Sequence, residues 1–248
     1  MNVNSRLELL YRNHWADLIT NGSLVDLPKP TNPMLLKIDE AKYEAASLRI
    51  IICGQENWGW DPFGTSIEEG MQGYWDFFVK EKFYNGVNRS AYWKAFRYFK
   101  EEISRHFANI NCYYIYQNIS KIARHDNVTG VTPSIRSLER KYFPVFKSEI
   151  EILSPNIIIF LTGPNRDDDI IFHFKDASFK PTQYENNLRK LAQVVHNQLP
   201  ACTFRTYHPA YYRGFTSKIR AQIISLISTW GEQGVAGYPP QGVGSPER

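Results

Sequence analysis

Short apolar runs alternate along the chain with longer amphipathic stretches, and this alternation predicts the fold. Four runs are rich in β-branched or aromatic residues and have the length of buried strands: residues 48–53, 112–116, 157–161 and 202–206. Each run ends at glycine or at polar residues. The pattern predicts four strands of a buried sheet.

Apolar residues at helical spacing predict helices before, between and after these strands. The predicted helices cover residues 7–18, a segment capped by Ser90, a segment that starts at Pro133 and is kinked or divided by Pro144, residues 188–195 and residues 219–230. Strands that alternate with helices favour a parallel sheet, because parallel neighbours need long right-handed crossovers.

The predicted fold class is therefore α/β, a three-layer α/β/α sandwich around a central, mainly parallel four-stranded sheet. We expect one domain over residues 1–230. Residues 231–248 are rich in Gly and Pro and offer little apolar surface to bury, which predicts a disordered tail.

Composition restricts the possible functions only mildly. The 248 residues include 29 Lys and Arg against 25 Asp and Glu, a formal charge of +4 that permits a polyanion such as DNA without requiring one. Three cysteines lie in apolar runs and give no disulfide framework. Neither a signal peptide nor an apolar run long enough for a bilayer is visible, so we expect a cytoplasmic protein with no membrane partner.

Two strand ends carry side chains that can do chemistry. Gly54-Gln55-Glu56-Asn57 follows the first strand, and His208-Pro209-Ala210 follows the last. Ligands of open α/β sheets bind beyond the carboxyl ends of the strands, which predicts that Glu56 and His208 share one cleft. The alternatives are a carboxylate that caps backbone N–H groups and a structural histidine held by the Pro209 turn.

In motif order, residues 50–213 resemble the uracil-DNA glycosylase superfamily. Its first motif is a strand followed by Gly-x-(Asp/Asn)-Pro or a relative, and its last is His-Pro-Ser. The chain looks closest to an outlying, poorly characterised group that carries a Gly-Gln-Glu start with a nearby Gly-Trp. Glu56, Asn57 and Ala210 depart from the usual Asp or Asn, proline and serine.

The resemblance implies a DNA glycosylase-like hydrolase that cleaves the N-glycosidic bond of a flipped, damaged, uracil-type pyrimidine in DNA, with no cofactor. Glu56 would position the attacking water, and His208 would stabilise the negative charge on the departing base. The residues implied to bind the base are Gly54, Gln55, Asn57, Phe63 and Asn118.

Other interpretations of these residues stay open. Asn118 would cap the turn into Ser120 equally well. A flipped base needs an aromatic stacking partner, and Trp58, Trp60 and Phe63 all lie in the loop after Glu56. The resemblance favours Phe63, while simple loop packing explains each of the three aromatic side chains.

Positive side chains follow two of the strand ends. Lys121, Arg124 and Arg213 are expected to hold phosphates of the nucleic acid, with ordinary solvated charge as the alternative. Residues 167–169 and His173 fall short of a metal-ligand set, so we predict no metal.

Two further functions remain as alternatives to the glycosylase. The substitutions at Asn57 and Ala210 also suit a non-catalytic nucleic-acid-binding relative of the family. A hydrolase of a small nucleoside-like metabolite is the other.

Overall fold

A six-stranded mixed sheet and eight α-helices make up the part of the chain that the computed structural model describes, residues 1–26, 28–57, 60–82, 90–126 and 128–234. The strands are β1 (Leu48–Gly54), β2 (Cys112–Asn118), β3 (Ile157–Phe160), β4 (Ser178–Lys180), β5 (Leu191–Val195) and β6 (Cys202–Thr206). The helices are α1 (Val3–Gly22), α2 (Glu40–Glu44), α3 (Ile67–Tyr74), α4 (Ala91–His106), α5 (Pro133–Tyr142), α6 (Phe146–Leu153), α7 (Asp167–His173) and α8 (Ser217–Gly234).

The strand order of the sheet is β2-β1-β3-β6-β5-β4. The pairs β2/β1, β1/β3 and β3/β6 are parallel. The pairs β6/β5 and β5/β4 are antiparallel. The carboxyl ends of β1, β2, β3 and β6 therefore lie along one edge of the sheet. Register places Gly54 at the end of β1 beside Asn118 at the end of β2.

The predicted α/β class is confirmed, but the predicted count of four strands is wrong. The four apolar runs form β1, β2, β3 and β6, and two further strands extend the sheet beyond β6. Residues 188–195, predicted to be helical, contain β5, because Leu191, Ala192 and Gln193 pair with β6 and the strand buries Leu191, Ala192 and Val194. Tertiary pairing overrides the helical spacing there.

Local signals in the sequence set the ends of the helices that border the functional edge. Ser90 caps α4 by accepting a hydrogen bond from Trp93 N at 3.3 Å. Thr132 caps α5, which starts at Pro133 as predicted, and Pro144 separates α5 from α6, also as predicted. At the far end of the chain, α8 continues to Gly234, four residues into the segment predicted to be disordered, and residues 235–248 lie outside the described residues.

The core is centred on β1 and β3, whose apolar side chains are buried along the strands. Cys53 and Cys202 are buried within it and Cys112 is half-buried, all as free thiols. No helix among the described residues is long and apolar enough to cross a membrane.

A half-buried histidine gives the fold a defined response to acid. The His173 ring lies 5.1 Å from the Phe146 ring and 4.9 Å from the Phe172 ring, centroid to centroid. Burial lowers the pKa of His173 from 6.5 to about 4. The unfolded chain therefore binds a proton before the native protein does, and the free energy of unfolding falls as the pH drops from 6.5 to 4.

We expect a His173→Phe variant to lose less stability in acid than the wild type, by about 2 kcal/mol after allowance for partial exposure of the ring. Urea denaturation at pH 7 and pH 4 measures the difference. A His125→Phe variant, changed at an exposed position, serves as the control. An unchanged acid response in His173→Phe would show that His173 is not a source of the acid sensitivity.

Candidate functional site

A cleft with a volume of about 870 Å³ opens at the carboxyl ends of β1 and β2. Gly54, Glu56 and Asn118 line it from these strand ends, and His208 lines it from the loop after β6. The parallel strands thus bring together side chains that are about 150 residues apart in the sequence. We refer to this space as the cleft.

The Glu56 carboxylate is held from two directions. Gly130 N donates a hydrogen bond of 2.7 Å to Glu56 Oε1, and Arg166 Nη2 forms an ion pair with Glu56 Oε2. The side chains of Glu56 and Arg166 are both buried, with 8% of each exposed. Each carboxylate oxygen keeps a second lone pair for a further donor, such as a water molecule.

Arg166 extends this contact into a network of charges. Its Nη1 lies 3.2 Å from Asp169 Oδ2, and Asp169 Oδ1 accepts hydrogen bonds from Arg136 at 2.7 Å and Arg140 at 2.9 Å. Sequence reasoning missed Arg166, although it follows the third predicted strand and the strand-end rule applies to it. The network holds the Arg166 side chain in place, and Arg166 in turn fixes the Glu56 carboxylate.

His208 is a neutral imidazole with a defined tautomer. Ala210 N donates a hydrogen bond of 3.3 Å to His208 Nδ1, so the ring proton of the neutral form lies on Nε2. Burial, and then the positive charge of Arg166, lower the pKa of His208 to about 4. At neutral pH the ring is uncharged and has one N–H to donate.

The amide of Asn118 is held by its neighbours. Its Nδ2 lies 2.8 Å from Asn57 Oδ1 and 2.8 Å from Tyr116 Oη, and Asn57 Nδ2 donates to Lys121 O at 3.0 Å. Gly54 makes room for the amide, because a Cβ atom there would lie 2.5 Å from Asn118 Oδ1. The Asn57 side chain therefore supports Asn118 in addition to lining the cleft.

Five aromatic side chains from the described part of the chain line the cleft. Trp60 comes from the loop after β1, Phe77 from the π-helical turn after α3, Tyr92 and Trp93 from the start of α4, and Tyr116 from β2. The Trp93 and Tyr116 ring centroids are 4.7 Å apart, and Tyr92 Oη donates to Ile52 O at 2.7 Å. Tyr92 and Trp93 thus belong both to the buried face of α4 and to the lining of the cleft.

Phe63, the predicted stacking residue, is not among the residues that line the cleft. Its ring packs against Gly22 at the end of α1, where a Cβ atom would lie 2.1 Å from the ring. Trp60 occupies the cleft instead, and Trp58 lies outside the described residues. Gln55 lines the cleft and donates through Nε2 to Thr162 O at 2.5 Å, which links the ends of β1 and β3.

The prediction that Lys121 binds phosphate is wrong. Its side chain is fully buried and its Nζ lies 2.8 Å from Glu149 Oε2, so the ammonium group is inside the protein. Arg124 is paired with Asp126 through a hydrogen bond of 2.6 Å. Arg213 is exposed and lies over the Tyr212 ring, 5.8 Å from its centroid. Of these two side chains, only that of Arg213 is accessible from the surface.

Comparison of the chain with protein-family models and with curated proteins found no match. Among the described residues, no group of three or more His, Cys, Asp or Glu side chains is arranged to hold a metal ion.

Proposed function

We propose that this protein is a DNA glycosylase-like hydrolase that cleaves the N-glycosidic bond of a flipped, damaged pyrimidine in DNA. The observation that carries the proposal is that Glu56, Asn118 and His208 line one aromatic-walled cleft. The resemblance of the strand-end motifs to those of the uracil-DNA glycosylase superfamily supports the same function, and it supports a three-layer arrangement of helices around the four parallel strands.

Glu56 has the properties required to align a water molecule. Its carboxylate is fixed by Gly130 and Arg166. An acceptor that is already held in position orients a water molecule at no further cost in entropy for ordering the side chain. The water donates one hydrogen bond to Glu56 and directs a lone pair at the sugar carbon of the glycosidic bond. Proton transfer to the carboxylate accompanies formation of the new C–O bond.

His208 acts on the departing base. Cleavage of the C–N bond leaves the electron pair, and hence negative charge, on the base, and an N–H donor in a water-poor cleft stabilises that charge. The neutral His208 ring supplies such a donor at Nε2. Stacking on the aromatic wall compensates for the stacking that the flipped base loses in DNA.

Oligonucleotides that each carry one damaged pyrimidine, either uracil or 5-hydroxycytosine, test the proposal in single- and double-stranded form. We expect abasic sites, detected by alkaline strand cleavage, on at least one of these substrates. A double variant, Glu56→Ala with His208→Ala, should leave them intact. Activity that survives in the double variant would refute the assigned roles, and no cleavage of any substrate would refute the hydrolase.

One observation favours a second candidate, a nucleic-acid-binding protein without hydrolysis. Both oxygens of Glu56 already have partners, Gly130 and Arg166, as expected for a carboxylate with a structural role. This candidate predicts binding that weakens steeply with salt, because neutralised phosphates release counterions, and no abasic sites. Binding measured alongside cleavage distinguishes the two candidates.

A further inference from the structure

The Asn57 and Asn118 side chains form a relay whose orientation is set by a backbone carbonyl. Lys121 O can only accept, so Asn57 must turn its Nδ2 toward that oxygen and its Oδ1 away from it. Asn57 Oδ1 then requires a donor, which Asn118 Nδ2 supplies at 2.8 Å. Each step fixes the next, and the Asn118 amide is left with one orientation.

This orientation leaves Asn118 with only an acceptor for a ligand. Its two amide hydrogens are directed to Asn57 Oδ1 and Tyr116 Oη. Its Oδ1 lies against Gly54 at the cleft, and no group in the described part of the chain donates to it. Asn57 and Asn118 are only 3% and 2% exposed, so a flipped Asn118 amide would bring two buried oxygens together.

The common bases differ in the N–H donors that they present to a single acceptor such as Asn118 Oδ1. On the Watson–Crick edge of uracil, the N3–H lies between two carbonyl oxygens. Both of these oxygens repel the approaching Oδ1 of Asn118, and Asn118 has no free N–H to donate to either of them. Cytosine instead carries an exocyclic amino group whose N–H projects from the ring. An acceptor can approach that N–H without coming close to a carbonyl oxygen on a neighbouring ring atom.

We infer that the cleft selects a base with an exocyclic amino group, as in cytosine-type pyrimidines, over the oxo base of uracil type. The inference rests on the proposed function and narrows its substrate. Asn118 accepts the amino N–H through Oδ1, and Asn57 is the positioning residue that prevents Asn118 from presenting its nitrogen. The cleft thus departs from the uracil-type substrate implied by the resemblance.

Matched pairs of free bases test the selection without requiring turnover. Cytosine and uracil differ by an amino against an oxo group, and so do adenine and hypoxanthine. We expect the amino member of each pair to bind about tenfold tighter in equilibrium titrations of the wild-type protein, a factor equal to about 1.4 kcal/mol. Equal affinity, tighter binding of the oxo member, or no binding of either base at millimolar concentration would overturn the inference.

An Asn57→Leu variant tests the relay itself. Without Asn57 Oδ1, the Asn118 amide is free to turn, and we expect the tenfold preference for the amino base to fall to about one. Asn32→Leu is the matched control, because it makes the same change at an asparagine that is also buried but is not among the residues that line the cleft, so the preference should persist. A preference that persists in Asn57→Leu would exclude the relay as its cause.

Two precautions keep the result interpretable. Thermal denaturation checks that each variant folds, and Asn57→Ser replaces Asn57→Leu if the latter does not, since serine also removes the oxygen that orients Asn118. Base binding and base release are measured separately. Amino selection without turnover would support the inference and reject the hydrolase, whereas turnover without amino selection would do the reverse.

Discussion

We expect the replacement of Glu56 with glutamine to lower the rate of the proposed base release by roughly 100- to 10,000-fold, the usual contribution of a positioned general base. The amide retains the shape of the side chain and an oxygen for the hydrogen bond from Gly130 N. It cannot take a proton from the attacking water, and it places an N–H group where Arg166 now meets a carboxylate. Single-turnover measurements of abasic-site formation report the loss directly.

The cleft contains a second carboxylate that provides a matched comparison. Asp61 lines the cleft and is exposed, so Asp61→Asn makes the same chemical change within the same space. We expect Asp61→Asn to retain its activity. The opposite result, loss in Asp61→Asn with Glu56→Gln active, would assign the alignment of water to Asp61.

Folding remains testable in Glu56→Gln because the buried Arg166 keeps its contact with Asp169. Thermal denaturation should therefore show a folded protein whose rate, and not its structure, has changed. An unfolded Glu56→Gln protein would mean that Glu56 is needed to neutralise Arg166, which is the structural role open to this carboxylate. The kinetic and the structural roles thus give different results in the same variant.

The central strands could be predicted from sequence because burial leaves a clear signal there. β1 and β3 are covered along their length, so they read as nearly uninterrupted apolar runs. β5 gives a weaker signal, since its Leu191 and Val194 also satisfy helical spacing, and only pairing with β6 decides between the two structures. β4 has three residues, too few for a periodic pattern.

The meeting of Glu56, Asn118 and His208 was predictable because parallel strands end at the same edge of a sheet. The direction of individual side chains was not. Phe63 and Trp60 lie in the same loop and are both aromatic, yet only Trp60 is among the residues that line the cleft. Sequence gives the residue types near a site, whereas packing against distant residues such as Gly22 decides which of them face it.

Lys121 shows the same limit for charge. A lysine after a strand end suggests a phosphate contact, but burial depends on what the rest of the chain brings nearby. Here α6 brings Glu149 to β2. The Glu149 carboxylate also accepts hydrogen bonds from Tyr11 Oη at 2.7 Å and from Gln117 Nε2 of β2 at 2.6 Å. The ammonium group of Lys121 completes this buried cluster.

Replacing Lys121 with methionine will therefore lower the free energy of unfolding by about 3–5 kcal/mol, because it leaves the buried Glu149 carboxylate without its counter-charge. Both side chains of the pair are 0% exposed, so water cannot take over the role of the lysine. Urea denaturation at neutral pH, with the midpoint and slope compared with those of the wild type, measures the loss.

A surface ion pair gives the control for this loss. Lys147 lies 4.0 Å from Glu151 on the exposed side of α6, and Lys147→Met should change stability by only about 0–1 kcal/mol. Adding Glu149→Gln to Lys121→Met should recover part of the lost stability, since it removes the unpaired charge and keeps an amide for hydrogen bonding. If the double variant were less stable than Lys121→Met, the cost would come from the lost packing of the lysine side chain, and the ion pair would contribute little to the fold.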